Sequence, residues 1–210
     1  MPENAEWIYL ARHGPSASAP RGWLSAAEFR RYLHGYDAVG LMEAAQVPDR
    51  LIGVAARSDM IIHSPLLRAV QTVALIDAAG GPATPRCAWA ELVEAAQPAP
   101  DIPGLRLPLA GWDALTRILW LLGRPGTVEP RRSAMARART AAERLAALPT
   151  SGAREDHAIL VVGHGFQNIL IAFQLRRAGW QGPRWPSIRH GQPTAYRRRP
   201  PGADLSRAGG

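Results

Sequence analysis

Short apolar runs alternate with helix-like periodicities along this chain. Residues 7 to 11, Asp59-Met60-Ile61-Ile62-His63 and the stretch from His157 to Val162 are brief and rich in Ile and Val, the pattern of strands buried on both faces. From Pro65 to Ala79, apolar residues recur at helical spacing, with Leu66, Val70, Val73 and Ile76 on one side; Ser64 is placed to cap that helix and Pro65 to occupy its first turn. Residues 133 to 148 predict an Ala- and Arg-rich amphipathic helix burying Ala134, Ala138, Ala141, Leu145 and Leu148. A further helix from about Phe166 to Ala178 is expected to turn Phe166, Ile169, Leu170 and Phe173 inward. Strands alternating with helices of this length imply an α/β fold of three layers, α/β/α, with a mostly parallel central sheet. One domain over residues 1–199 accommodates the pattern. The Pro- and Gly-punctuated stretch at about 98–112 reads as an insert of the kind that serves as a lid or binding loop, and residues 200–210 read as a disordered tail.

Composition narrows the function classes. The chain has 210 residues and a formal net charge of +8, and all 25 of its Lys and Arg positions are Arg. Guanidinium groups match phosphate and carboxylate geometry, so anionic ligands are favoured. The arginines are dispersed apart from Arg197-Arg198-Arg199, and no nucleic-acid-binding module is recognisable, which argues against nucleic acid as the partner. Cys87 is the only cysteine, which rules out an intrachain disulfide and a site built on several thiolates. With a polar start, Met1-Pro2-Glu3-Asn4-Ala5-Glu6, and no apolar stretch of membrane-spanning length, a cytoplasmic location without membrane contact is expected.

In an open α/β sheet, ligands bind outside the carboxyl ends of the strands. Three of the apolar runs deliver polar residues there: Arg12-His13, then Ser64 and Arg68, then His164. Two imidazoles and two guanidinium groups at one point suit a phosphoryl group. A neutral imidazole can attack phosphorus, while Arg12, Arg68 and His164 supply donors for the equatorial oxygens as charge develops. Such chemistry implies no metal and no other cofactor. A leaving alkoxide needs a proton, and Glu91 and Glu94 are the candidate acids. Other features read as structural: His63 as a core-edge ring, His157 as a surface residue, Glu129 as a first-turn carboxylate, and Trp112, Trp120 and Trp180 as packing. Arg106 in the insert is an open candidate for a substrate anion. A second Arg-His-Gly, at residues 189–191, follows no buried strand and reads as coincidental or peripheral.

Arg12-His13-Gly14 after a first strand, Ser64-Pro65-Leu66-Leu67-Arg68-Ala69-Val70-Gln71-Thr72, and Gly163-His164-Gly165 together resemble the histidine phosphatase superfamily, also called phosphoglycerate mutase-like. The resemblance spans about residues 7–196. It implies that His13 becomes a phosphohistidine, that Arg12, Arg68 and His164 form the phosphate pocket, and that Glu94, in Leu92-Val93-Glu94, is the proton donor. The implied activity is metal-independent hydrolysis of a phosphate monoester, on a small phosphorylated substrate or a phosphoprotein. Mutase-type phosphoryl transfer and non-catalytic phosphate binding are the alternatives. Two segments depart from the family pattern. Pro15-Ser16-Ala17-Ser18 lacks the Asn that commonly follows the first motif, and Ala95-Ala96-Gln97-Pro98 replaces a Gly-Trp-Glu-Gly-like segment after the acid.

Overall fold

The computed structural model describes residues 5–18, 20–80, 84–123, 128–148 and 157–198; the expected tail, 200–210, lies outside the described residues. In chain order the elements are β1 (Glu6–Arg12), β2 (Trp23–Ser25), α1 (Ala26–Tyr36), α2 (Asp49–Arg57), β3 (Met60–His63), α3 (Leu67–Ala78), β4 (Arg86–Ala88), a 3-10 turn (Ala90–Leu92), β5 (Arg106–Pro108), α4 (Leu109–Leu121), α5 (Arg131–Ala146), β6 (His157–Gly163), α6 (Gly165–Arg177) and β7 (Thr194–Arg198). The main sheet has the order β4-β3-β6-β1-β7. All its pairings are parallel except β1 with β7.

Alternation along the strands builds the layers. Ile8 and Leu10 join Ile62 and Val161 against α5 and α6 on one face, while Ala11 joins Ile61, Leu160 and Val162 against α2 and α3 on the other. Both faces of the central strands are therefore apolar, as their continuous hydrophobic runs require. The α5 surface facing the core is Ala134, Ala138, Ala141, Ala142 and Leu145. Leu148 lies beyond the end of that helix and is partly buried.

Two helices meet the face their apolar spacing predicts only in part: Val73 and Ile76 of α3 and Leu170 of α6 are buried as expected, with polar residues buried beside them. In α3, Val70 is 40% exposed and the buried residues are Arg68, Ala69, Thr72, Val73 and Ile76. The helix starts at Leu67, its N-cap is Leu66, and no side chain caps it. In α6, Phe173 is 48% exposed, while Gln167, Asn168, Leu170, Ile171, Ala172 and Leu175 are buried. The reason is polar. Thr72 Oγ1 accepts the Gly14 N–H (2.8 Å) and Asn168 Nδ2 donates to the Ala11 carbonyl (3.1 Å), so each helix satisfies backbone groups at a strand end.

The expected irregular insert at 98–112 contains ordered structure. Its β5 pairs antiparallel with β2, and from Leu109 it runs directly into α4. Trp112 stacks on Phe29 of α1 (ring centroids 5.2 Å apart), and its indole N–H donates to the Leu24 carbonyl (2.8 Å), closing a small separate core with Leu24 and Ala26. Among the described residues, no helix is long and apolar enough to cross a membrane.

Candidate active site

The strand register brings the candidate residues level. Arg12 lies opposite Gly163, and His63 lies opposite Val162, so β1, β6 and β3 end side by side. His13 follows β1 and is pinned at once: its N–H donates to the Gly163 carbonyl (2.9 Å). Its ring Nδ1 lies 2.6 Å from the Gly14 carbonyl. A carbonyl only accepts, so Nδ1 carries the proton and Nε2 keeps its lone pair. Arg68 Nε donates to that Nε2 at 3.2 Å. Burial, then neighbouring His164, Arg68 and Arg12, hold the His13 pKa far below its ordinary value, so the ring is neutral.

Arg68 is fully buried, a costly place for a charge unless it is paired and bonded. It is met on every side. Besides His13, it donates to the Tyr36 carbonyl (2.8 Å), pairs with Asp37 (3.3 Å) and lies over the Tyr36 ring, 4.2 Å from its centroid. Arg12 donates to the Ile188 carbonyl (3.0 Å), and its buried Nε has no partner among the described residues. His164, the residue before α6, has its ring centroid 5.0 Å from that of His13. Its Nε2 is 2.8 Å from the buried Ser64 hydroxyl, whereas its buried Nδ1 is unpartnered among the described residues. Burial, with Arg68 and Arg12, lowers the His164 pKa well below its usual value.

The cluster adjoins a cleft of about 1240 Å³ through Arg12, Tyr36, Asp37 and His190, which line it. Glu94 lines the same cleft and Glu91 does not. The Glu94 carboxylate sits at the start of α6, accepting the N–H groups of Phe166 (3.2 Å), Gln167 (2.9 Å) and Ala95 (2.9 Å). Arg137 fixes the turn that carries it by donating to the carbonyls of Glu91 and Val93, while pairing with Glu129 at 2.7 Å. Glu129 is structural through its pairing with Arg137, not as the first-turn carboxylate expected: α5 begins at Arg131 with Pro130 as its N-cap and has no acidic residue in its first turn. The Glu91 side chain is taken by Arg144.

The structure places Arg12, His13, Ser64, Arg68 and His164 together, with Glu94 in the adjoining cleft. His63 donates from Nδ1 to the Ser64 carbonyl (2.9 Å), and His157 pairs with Asp59 (3.5 Å); neither lines the cleft. Trp112, Trp120 and Trp180 are buried. Arg106 is also outside the cleft: it donates to the Trp23 carbonyl (2.9 Å) and forms an ion pair with Glu28 (3.6 Å). The guanidinium that faces the cleft from the segment after Glu94 is Arg117 on α4, stacked 4.1 Å over Phe166 and 3.9 Å from Glu94. Beside it, Asp113 accepts from Gln97 (3.0 Å), and burial raises its pKa. The peripheral reading of residues 189–191 is corrected. His190 forms a parallel bridge with Arg12, and its ring centroid is 5.3 Å from that of His13. The signal available for it was the tripeptide itself; its turn is fixed by contacts remote in sequence. Among the described residues, no group of three or more His, Cys, Asp or Glu side chains is disposed to hold a metal ion.

No curated protein sequence matches this chain significantly. Among solved structures, the chain is similar to phosphoglycerate mutase from Bacillus anthracis (13% identity, 94% of this chain and 89% of that one, TM-score 0.63) and to Bacillus stearothermophilus YhfR (16%, 90% and 90%, TM-score 0.53). It is also similar to a mycobacterial glucosyl-3-phosphoglycerate phosphatase (23%, 80% and 78%, TM-score 0.50). At these identities the likeness is one of fold, which confirms the phosphoglycerate mutase-like α/β architecture. The model of the histidine phosphatase superfamily (branch 1) matches residues 8–205, a span that holds both histidines, both arginines and the acid of the cleft; the chain is an enzyme belonging to that superfamily.

Proposed function

We propose that the protein hydrolyses a phosphate monoester, without a metal ion, through a phosphohistidine on His13. The observation that carries this reading is the state of the nitrogens in the His13 cluster. The lone pair of Nε2 is fixed by the Gly14 carbonyl and Arg68, and two buried nitrogens of the same cluster, Arg12 Nε and His164 Nδ1, lack partners among the described residues. Buried polar groups are ordinarily satisfied, and a phosphoryl oxygen would satisfy these. His164 Nε2 lies 2.8 Å from the Ser64 hydroxyl, which can donate or accept; in the tautomer where the hydroxyl donates, the His164 proton sits on Nδ1, available to an equatorial oxygen.

In the first half-reaction His13 Nε2 bonds to phosphorus as the ester P–O bond breaks. Glu94, in its acid form, gives its proton to the leaving alkoxide. In the second, Glu94 takes a proton from water, whose oxygen bonds to phosphorus while the P–N bond breaks, returning His13 neutral and Glu94 protonated. The cleft exceeds what a phosphate needs, leaving room for a small organic leaving group lined by Asp113, Arg117 and Tyr32. A cytoplasmic phosphorylated metabolite fits this reading, with a phosphoprotein side chain as the other member of the same ester class.

The test is turnover of p-nitrophenyl phosphate and a panel of phosphorylated metabolites, with chelator present. Glu94→Gln is expected to lower kcat about 10²- to 10⁴-fold on alkyl phosphates, the usual contribution of general acid–base catalysis. On p-nitrophenyl phosphate the first half-reaction, read as the pre-steady-state burst of p-nitrophenol, should be slowed much less, because that leaving group needs no proton. No turnover of any phosphoester by the wild type would end the reading. Conversion of 3-phosphoglycerate to 2-phosphoglycerate in preference to free phosphate would replace it with mutase chemistry.

A further inference from the structure

His190 lies outside the three motifs, yet the fold delivers it to the nucleophile. Gly191 has φ +66°, and a Cβ there would come within 2.6 Å of Pro48 Cδ, so the turn after His190 needs glycine. The Gly191 N–H donates to the Arg12 carbonyl (2.8 Å), Arg12 in turn donates to the Ile188 carbonyl (3.0 Å), and Ser187 N–H bonds Thr194 Oγ1 (2.8 Å). These contacts lay residues 187–191 along the end of β1. The His190 ring then meets His13 from the cleft side: its Nδ1 is 2.8 Å from the His13 carbonyl, and the residue lines the cleft. Since the carbonyl only accepts, Nδ1 is the protonated nitrogen.

We propose that His190 is a positioning residue for the His13 nucleophile, holding the His13–Gly14 peptide so that the Gly14 carbonyl keeps the proton of His13 on Nδ1. This rests on the phosphohistidine reading above. The peptide is gripped at both ends by side chains from other elements: His190 takes its carbonyl, and Thr72 Oγ1 takes its N–H at 2.8 Å. The next carbonyl, Gly14 O, is the one 2.6 Å from His13 Nδ1. Rotation of the peptide would move that carbonyl away, releasing the tautomer in which Nε2 is protonated and cannot attack. Burial and Arg12 keep the His190 ring itself neutral.

Three variants test this. Asparagine carries an N–H donor close to the place of the histidine Nδ1, glutamine carries it one atom farther out, and alanine has none. On p-nitrophenyl phosphate, His190→Ala is expected to lower kcat on the order of 100-fold with KM little changed, as small misplacements of reacting groups do. His190→Asn should recover most of the loss and His190→Gln should not. Wild-type kcat in the alanine variant, asparagine no better than alanine, or a loss confined to KM would overturn the assignment. Should the alanine variant fail to fold, asparagine against glutamine decides. A second readout is independent of turnover: the imidazole ¹⁵N shifts of His13 should report one Nδ1–H tautomer in the wild type and a mixture in His190→Gln. An unchanged tautomer would overturn the proposal even where activity falls. A wild type that turns over no phosphoester would remove the phosphohistidine reading and leave the tautomer measurement to judge His190 alone.

Discussion

Arg68 sets three nitrogens on three different acceptors, His13 Nε2, the Tyr36 carbonyl and the Asp37 carboxylate, within a fully buried side chain. A lysine ammonium keeps the charge but cannot span that fork. Arg68→Lys is therefore expected to cost about 10²- to 10³-fold in kcat, the range seen for losing one preorganised donor to a developing oxyanion, with far-ultraviolet circular dichroism unchanged. An effect below threefold would mean that Arg68 acts on the phosphoryl group only through its charge. At this scale the site was partly legible. Arg12, His13, Ser64, Arg68 and His164 each follow a buried apolar run, and strand ends converge by the nature of a parallel sheet. His190 and Asp113 were not legible. The first is placed by a glycine turn against Pro48 and a bridge to β1, the second by a helix within a segment expected to be irregular.

The two helices that serve the site were read from the sequence only in part. Apolar spacing put Val73, Ile76 and Leu170 inside, where they are, but also Val70 and Phe173, which are exposed; α3 buries Arg68 and Thr72 instead, and α6 Gln167 and Asn168. Periodicity reports hydrophobic burial and is blind to a polar side chain buried because a strand end needs a partner. The same point predicts what Thr72→Val does. Thr72 Oγ1 accepts from Gly14 N–H at 2.8 Å and donates to the Arg68 carbonyl at 2.6 Å, so the isosteric valine strands a buried N–H. The expected destabilisation is about 1–3 kcal/mol, read as the midpoint of urea unfolding, together with a fall in kcat because the peptide behind His13 loses its hold. Unchanged stability would show that water replaces the hydroxyl at Gly14. The β2–β5 ribbon was hidden for a different reason: each of its strands is three residues long, too short to display alternation.

For the whole molecule, the alternation of β1, β3 and β6 with α3, α5 and α6 was readable from short apolar runs and helical periods, and the three-layer fold followed from it; α1, α2, α4 and the edge strands β4 and β7 were not read. The fold then imposes a cost that grows in acid. His13 and His164 are both buried and held neutral. In the unfolded chain they take up protons below about pH 6.5, so there the unfolded state binds more protons and stability falls as pH falls. Each ring contributes about 1.4 kcal/mol per pH unit below that point, and thermal melts from pH 7 to pH 5 should show the decline. The decline should be shallower in His164→Gln, and an equal slope in that variant would contradict the assignment of a neutral buried ring. The phosphohistidine is tested most directly by mass spectrometry of the enzyme quenched during turnover of p-nitrophenyl phosphate. One phosphoryl group is expected on the peptide carrying His13, labile in acid and stable in base, accumulating in Glu94→Gln and absent from His13→Ala. A phosphoryl group on another residue, or full turnover by His13→Ala, would contradict it.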